Sequence, residues 1–159
     1  MLNKEEFEKV VKNTPLISID LIVENPDGKI LLGYRNNRPA KDTWFVPGGR
    51  ILKDEYYEEA IERISGEELG KEFAIMDMKF LGVYEHIYPG DNVFGADAYS
   101  THYIVNAYWI KLNKDLVELP SEQHKDYWWA AIGDLLEKED VHINTKNYFN
   151  GYKPLQERF

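Results

Sequence analysis

The chain has 159 residues, no cysteine, and 28 acidic against 19 basic side chains, for a formal net charge of −9. That length suits one domain, residues 1–159, and the absence of thiols excludes disulfides, thiolate zinc sites and cysteine nucleophiles. The acidic balance disfavours a nucleic-acid binder, and no apolar run is long enough for a leader or a membrane span, so a soluble, cytoplasmic protein is expected.

Asn3, with Glu6 three residues on, predicts a capped amphipathic helix over residues 3 to 12, whose apolar Phe7, Val10 and Val11 would pack or dimerise. Ile17, Ile19, Leu21 and Val23 then alternate along a strand from Leu16 to Glu24. Asn25-Pro26-Asp27-Gly28 reads as a turn and Lys29 to Tyr34 as the return strand, which together predict a hairpin. Asp20 shares the opposite face with Ser18 and Ile22, either solvated at a sheet edge or turned towards a ligand.

Arg35 to Lys41 is a polar loop, and Thr43 to Val46 a short strand that feeds Pro47-Gly48-Gly49. Arg35, Arg38 and Arg50 bracket this glycine loop. Each alone reads as solvated surface, but three guanidinium forks around one such loop make a phosphate site a competing reading. An acidic protein that handles a phosphorylated ligand must also neutralise it locally, with a cation or with arginines.

Residues 55 to 69 read as a helix stopped by Gly70, with Tyr57, Ala60, Ile61 and Ile64 on one stripe and Glu55, Glu58, Glu59 and Glu62 opposite. Glu68 breaks the order, because it ends the buried stripe with Glu67 beside it, at the negative end of the helix macrodipole. Either it is a frayed, solvated end residue or it serves a hard cation such as Mg²⁺, which takes oxygen ligands and commonly shares carboxylates with substrate phosphates.

Met78 to Tyr88 and Tyr99 to Leu112 predict long strands, joined by a Gly- and Asp-rich connection at residues 89–98 that suits a substrate lid or rim. Leu119 to Asp126 reads as a polar loop, Tyr127 to Ala130 as a strand, and Ile132 to Lys138 and Asn144 to Asn150 as short helices. The order predicts a mixed α/β sandwich, an α+β fold with the 55–69 helix packed on a sheet. Of the four histidines, His86 and His102 fall within strands, where a hydrogen-bonded structural role is the commoner explanation, and His142 is assigned none. His124 sits in a polar loop beside Gln123, where an imidazole titrating near neutrality could take a proton from water.

The central stretch resembles the Nudix box, G-x5-E-x7-R-E-U-x-E-E-x-G-U, with Gly49, Glu55, Arg63, Glu67, Glu68 and Gly70 in register. It departs where Ile64 replaces a helix-face Glu and where Ser65 and Lys71 occupy the aliphatic positions. Such a box is similar to that of the GDP-mannose mannosyl hydrolases, atypical Nudix enzymes that cleave the sugar C–O bond. Thr14 to Asp20, Asn37 to Ala40, Trp44 to Arg50, Thr101 to Tyr103 and Leu119 to His124 resemble the same branch in order.

The resemblance implies a Nudix-type α/β/α sandwich with a mixed sheet and a loop-helix-loop site for metal and diphosphate. It implies one Mg²⁺ per subunit, with Mn²⁺ as a substitute, held by Gly48, Glu68 and Gln123. His124 would be the general base, Arg35, Arg50 and Tyr103 would stabilise the leaving diphosphate, and Asp20 with His86 would orient the sugar. The implied reaction turns GDP-mannose, and GDP-glucose as second substrate, into GDP and free sugar with inversion, in a homodimer. The alternatives are a pyrophosphohydrolase that attacks phosphorus and a nucleotide-sugar-binding module without turnover.

Overall fold

The computed structural model describes residues 1–122 and 124–159, so Gln123 lies outside the described residues. In chain order the elements are α1 (Lys4–Asn13), β1 (Leu16–Glu24), β2 (Ile30–Arg35), β3 (Trp44–Phe45), β4 (Gly48–Arg50), α2 (Tyr57–Leu69), β5 (Lys79–Tyr88), β6 (Thr101–Lys111), β7 (His124–Ala130), α3 (Ile132–Glu137) and α4 (Ile143–Lys146). Short 3-10 turns at Ile75–Asp77 and Leu155–Glu157 complete the set. No helix among the described residues is long and apolar enough to cross a membrane.

The strands form one mixed sheet, ordered β3-β2-β1-β6-β5, with β4 also paired to β1 and β7 to β2. β1 runs parallel to β6 over its full length, from Leu16 opposite Tyr103 to Glu24 opposite Lys111. The predicted hairpin is paired only at its closed end, Glu24 opposite Ile30. Beyond that point β4 takes the edge of β1, with Asp20 opposite Gly48 and Ser18 opposite Arg50, while β2 pairs instead with β7. The two strands therefore splay, and a cleft opens between them.

Alternation along β1 sends apolar side chains to both faces. Ile19, Leu21 and Val23 pack against Ala60, Ile61, Ile64 and Leu69 of α2, whereas Ile22 joins Val105, Ala107, Phe45, Leu135 and Val141 on the side of α3. The result is the expected α/β/α sandwich. α1 carries the predicted capping box, Asn3 Oδ1 accepting from the Glu6 amide at 2.9 Å and Glu6 Oε2 from the Asn3 amide at 3.1 Å. Gly70 caps α2 in the left-handed region at φ 71°. Ser65, one of the departures from the box, is fully buried, donates to the Ile61 carbonyl at 2.8 Å and accepts from the Phe73 amide at 2.8 Å, which ties down the chain beyond Gly70.

Three expectations are corrected. His124 is not in a loop but opens β7, because its backbone pairs with Arg35. Arg35 is likewise the half-buried last residue of β2 and not an exposed loop residue. The helix expected over Asn144 to Asn150 spans only Ile143–Lys146, because Asn147 and Asn150 bond to each other, at 3.0 Å, and Asn150 to the Tyr152 amide, at 3.1 Å. Such short polar side chains compete with helical backbone bonding.

The free edge of β5 is covered by the C-terminal tail. The Gln156 amide donates to the Leu81 carbonyl and accepts from the Val83 amide, both at 3.1 Å, and Arg158 pairs with Glu85 at 2.9 Å. At the other side of the sheet, Arg63 of α2 ties helix to loop. It meets Glu55 through Nε at 2.6 Å and Nη2 at 3.0 Å, the Arg50 carbonyl at 2.9 Å and Glu67 at 3.1 Å. This guanidinium holds the Glu55 carboxyl below the usual range.

Arg63→Ala should therefore lower unfolding free energy by roughly 1–3 kcal/mol, the worth of charge-assisted hydrogen bonds that are only partly exposed. Arg63→Lys should recover little, since an ammonium cannot span the carboxylate and the carbonyl together. Urea unfolding followed by circular dichroism measures both, and a wild-type midpoint in Arg63→Ala would show that apolar packing anchors α2 unaided.

Candidate active site

Where β1 and β2 part, a cavity of about 170 Å³ is lined by Asp20, Arg35, Gly48, Arg50, His86 and Tyr103, among others. It adjoins a recess of about 40 Å³ that holds Glu68 and His124, and a third hollow of about 150 Å³ bordered by Phe7, Arg38, Val93 and Tyr103. Arg35 borders all three. Every described residue singled out in the sequence for a site thus lies around one cleft, and Gln123 lies outside the described residues.

Glu68 is buried, 5% exposed, and not a frayed end. His124 is buried with it, and His124 Nε2 lies 3.1 Å from Glu68 Oε2. The imidazole rests on Gly33, where an added Cβ would stand 2.5 Å from its Cγ and Nδ1, and meets the Tyr127 ring edge-on at 5.4 Å. Tyr127 is itself held by a short hydrogen bond from its hydroxyl to the Pro120 carbonyl. His124 Nδ1 is buried without a partner among the described residues. Gly33 carries no signal in sequence, because only the β2–β7 pairing brings His124 over it.

Ile64, which replaces the helix-face carboxylate of the box, is fully buried, and a Cβ at Gly49 would stand 3.0 Å from its Cγ1. Hydrocarbon therefore backs the glycine loop. A Cβ at Gly48 would stand 2.5 Å from Asp20 Oδ1 and 2.6 Å from the Ile19 carbonyl, so only glycine fits there.

Asp20 is 7% exposed in the middle of the sheet, which overturns solvation at an edge. Its Oδ2 accepts a hydrogen bond of 2.6 Å from the hydroxyl of Tyr148, a residue that no sequence motif marks. Burial pushes the Asp20 carboxyl up to about 7. The Tyr148 hydroxyl and Arg35 offset this in part, while Glu68 adds to it. His86, set edge-on to Phe45 and Tyr88, is pushed down to about 4 by burial and by the neighbouring His142. His142 caps α4 through Nδ1, 3.0 Å from the Asn144 amide, and its own pKa is lowered by burial and by Arg35. In β6, the buried His102 Nε2 has no hydrogen-bond partner among the described residues.

The arginines differ in what occupies them. Arg35 Nε donates to the Pro39 carbonyl at 2.9 Å, and Arg50 lies over the Phe7 ring at 4.2 Å. Among the described residues neither pairs with a carboxylate. Arg38 is drawn to Asp91 at 3.6 Å at the protein surface. Residues 89–98 form a rim rather than a loose flap: Asn92, fully buried, bonds the Ala96 and Tyr99 carbonyls and the Phe94 and Ala96 amides.

The donor chemistry fits one hard divalent cation at the recess. Glu68 is a buried carboxylate there, beside the glycine cradle at Gly48. Among the described residues no group of three or more His, Asp or Glu converges.

The burial of Asp20 and His86 has opposite consequences for stability. His86, lowered from 6.5 to about 4, contributes stability that is present above pH 6.5 and lost as pH falls towards 4. Asp20, raised from 3.8 to about 7, contributes stability that is present below pH 4 and lost as pH rises towards 7. Each amounts to a few kcal/mol, on the order of 3, and the slopes oppose between about pH 4 and 6.5. In His86→Asn the Asp20 slope should be opposed only by that of His142, so that stability on acidification through this window rises relative to wild type. Urea unfolding of metal-free protein at pH 4.5, 5.5 and 6.5 reads it, and a slope equal to wild type would mean that folded His86 binds a proton.

The chain matches the NUDIX domain family over residues 14–150. It is 40% identical over 118 residues to the low-salt glycan biosynthesis protein Agl8 of Haloferax volcanii, covering 74% of this chain and 72% of that protein. Over 70 residues it is 40% identical to the ADP-ribose pyrophosphatase of Methanocaldococcus jannaschii, covering 44% of this chain and 40% of that one. The crystal structure of the MutT protein from Methanosarcina mazei Go1 superposes with a TM-score of 0.68 at 22% identity, covering 88% of this chain and 94% of that chain, a likeness of fold. A family match that spans most of the chain, carried on the fold of its relatives, makes this protein a member of the Nudix hydrolase superfamily.

Proposed function

We propose that the protein, acting as a single domain over residues 1–159, hydrolyses GDP-mannose, with GDP-glucose as a second substrate, to GDP and free sugar. Water attacks the anomeric carbon with inversion, and the C–O bond breaks. The observation that carries this reading is the recess itself: Ile64 leaves the box helix with Glu68 as the carboxylate beside Gly48, and the base candidate His124 lies on another element, 3.1 Å away. A recess that holds one carboxylate on the box helix suits holding a diphosphate as leaving group better than the multi-metal activation of water at phosphorus.

Nudix hydrolases generally use a divalent metal such as Mg²⁺ or Mn²⁺. Here Glu68, Gly48 and Gln123 would hold one Mg²⁺, replaceable by Mn²⁺, whose charge would stabilise the departing diphosphate. Arg35 and Arg50, free of carboxylate partners among the described residues, add donors for the same charge, with Arg38 at the rim and Tyr103 as a neutral donor. His124 would take the proton of the attacking water; its Nε2 faces Glu68 Oε2 at 3.1 Å and its Nδ1 is buried against Gly33, so one ring nitrogen must be freed for the water. Asp20 accepts from a sugar hydroxyl, beside a neutral His86. A cytoplasmic homodimer with no nucleic-acid or membrane partner completes the reading.

A second reading, attack at phosphorus to give GMP and sugar phosphate, is favoured by the likeness to an ADP-ribose pyrophosphatase. Hydrolysis in ¹⁸O-water separates the two. Label in the sugar is the expected result, and label in the phosphate product would transfer the activity to the second reading.

His124→Gln should lower kcat about 10²–10⁴-fold with Mg²⁺ affinity retained, and Glu68→Gln should raise the Mg²⁺ concentration needed for half-maximal rate. Normal Mg²⁺ dependence and rate in Glu68→Gln would remove Glu68 from the metal set.

A further inference from the structure

Tyr148 lies just beyond α4, far from the Nudix box, yet its hydroxyl donates to Asp20 Oδ2 at 2.6 Å across 128 residues of chain. The ring is wedged. It meets Tyr84 edge-on at 4.8 Å and 79°, with His86 at 6.1 Å. Tyr84 in turn stacks on Tyr152 at 6.4 Å and 25°, and the Tyr152 hydroxyl accepts from Arg158 at 2.9 Å. The tyrosine is therefore a fixed donor that cannot follow a moving carboxylate.

The other Asp20 oxygen, Oδ1, is the one that stands beside Gly48, where an added Cβ would lie 2.5 Å away, at the cavity wall. One oxygen is tied from behind and one is left at the cleft. A free carboxylate offers about four acceptor sites over two oxygens and could turn to take two neighbouring hydroxyls. A tied one cannot.

We propose that Tyr148 is a positioning residue of the sugar subsite: by holding Asp20 Oδ2 it fixes the carboxylate plane and leaves Oδ1 as the single acceptor presented to one sugar hydroxyl. This rests on the GDP-sugar reading above and names the residue through which the sugar is held in register. Misplacement of a substrate by a fraction of its own length is costly to the reaction and costs less in binding of the rest of the molecule.

Tyr148→Phe keeps the ring and deletes one oxygen. It should lower kcat/KM for GDP-mannose about 10–100-fold, while the inhibition constant of GDP, which has no sugar, stays within about twofold of wild type. In an Asp20→Asn background the same change should have no further effect, because the two residues act as one unit. That double variant also lacks the orphaned buried carboxylate, so it tests the proposal even where Tyr148→Phe alone does not fold. It should match Asp20→Asn within about twofold in kcat/KM.

A further tenfold fall in the double variant, or an equal loss of GDP affinity in Tyr148→Phe, would reduce Tyr148 to a packing role and overturn the proposal. Turnover by wild type that Tyr148→Phe leaves unchanged sinks the Tyr148 proposal alone. A wild-type protein that turns over neither GDP-mannose nor GDP-glucose sinks the reading of the site, and this proposal with it.

Discussion

The cleft depends on a wedge of backbone. Left to themselves, β1 and β2 would zip from the turn at Asn25 onward and close the sheet between them. The Pro47-Gly48-Gly49 segment takes the hydrogen-bonding edge of β1 instead, Leu21 donating to the Pro47 carbonyl at 2.8 Å and Ile51 to the Ile17 carbonyl at 2.9 Å. β2 finds its partner in β7. Two residues, glycine at 48 and hydrocarbon at 64, let this wedge sit against Asp20 on one side and α2 on the other. Everything at the site is positioned from that insertion: Asp20 from β1, Arg35 from β2, Arg50 from β4, Glu68 from α2 and His124 from β7.

Charge is distributed with the same economy. The chain as a whole is strongly acidic, yet the two arginines at the cavity meet a carbonyl and an aromatic face, neither of which cancels their charge. Arg63, by contrast, is matched to carboxylates and serves the scaffold, while Arg38 at the rim is drawn to Asp91. Opposite the cavity arginines stand a carboxyl driven towards neutrality by burial and a histidine kept neutral by the same cause. The cavity thus sets uncancelled positive charge opposite groups held towards neutrality, the pattern on which the proposed nucleotide-sugar reading draws.

What could be read in the sequence was what depends on neighbours along the chain. The Asn3–Glu6 cap, the apolar stripe of α2 and its glycine stop all follow from residues within a turn or two of each other, and all are present. The splay of β1 from β2 was not legible, since the hairpin pattern is satisfied locally and broken only by a segment that arrives from elsewhere. Nor was the place of His124, whose polar neighbours mimic a loop while its backbone joins β2. Asp20 was legible as an anomaly, a carboxylate in an apolar strand, but its hydroxyl partner Tyr148 comes from the far end of the chain and leaves no periodic or compositional trace.

The tail that covers β5 bears on how copies of the protein can meet. An uncovered edge strand is a template for intermolecular β-pairing and aggregation. Here the side-chain amide of Gln156 imitates a strand residue, taking both the donor of Val83 and the acceptor of Leu81, and the Arg158–Glu85 pair places charge alongside. A single glutamine thus occupies the edge at Leu81 and Val83, and strand addition there would first require the tail to let go.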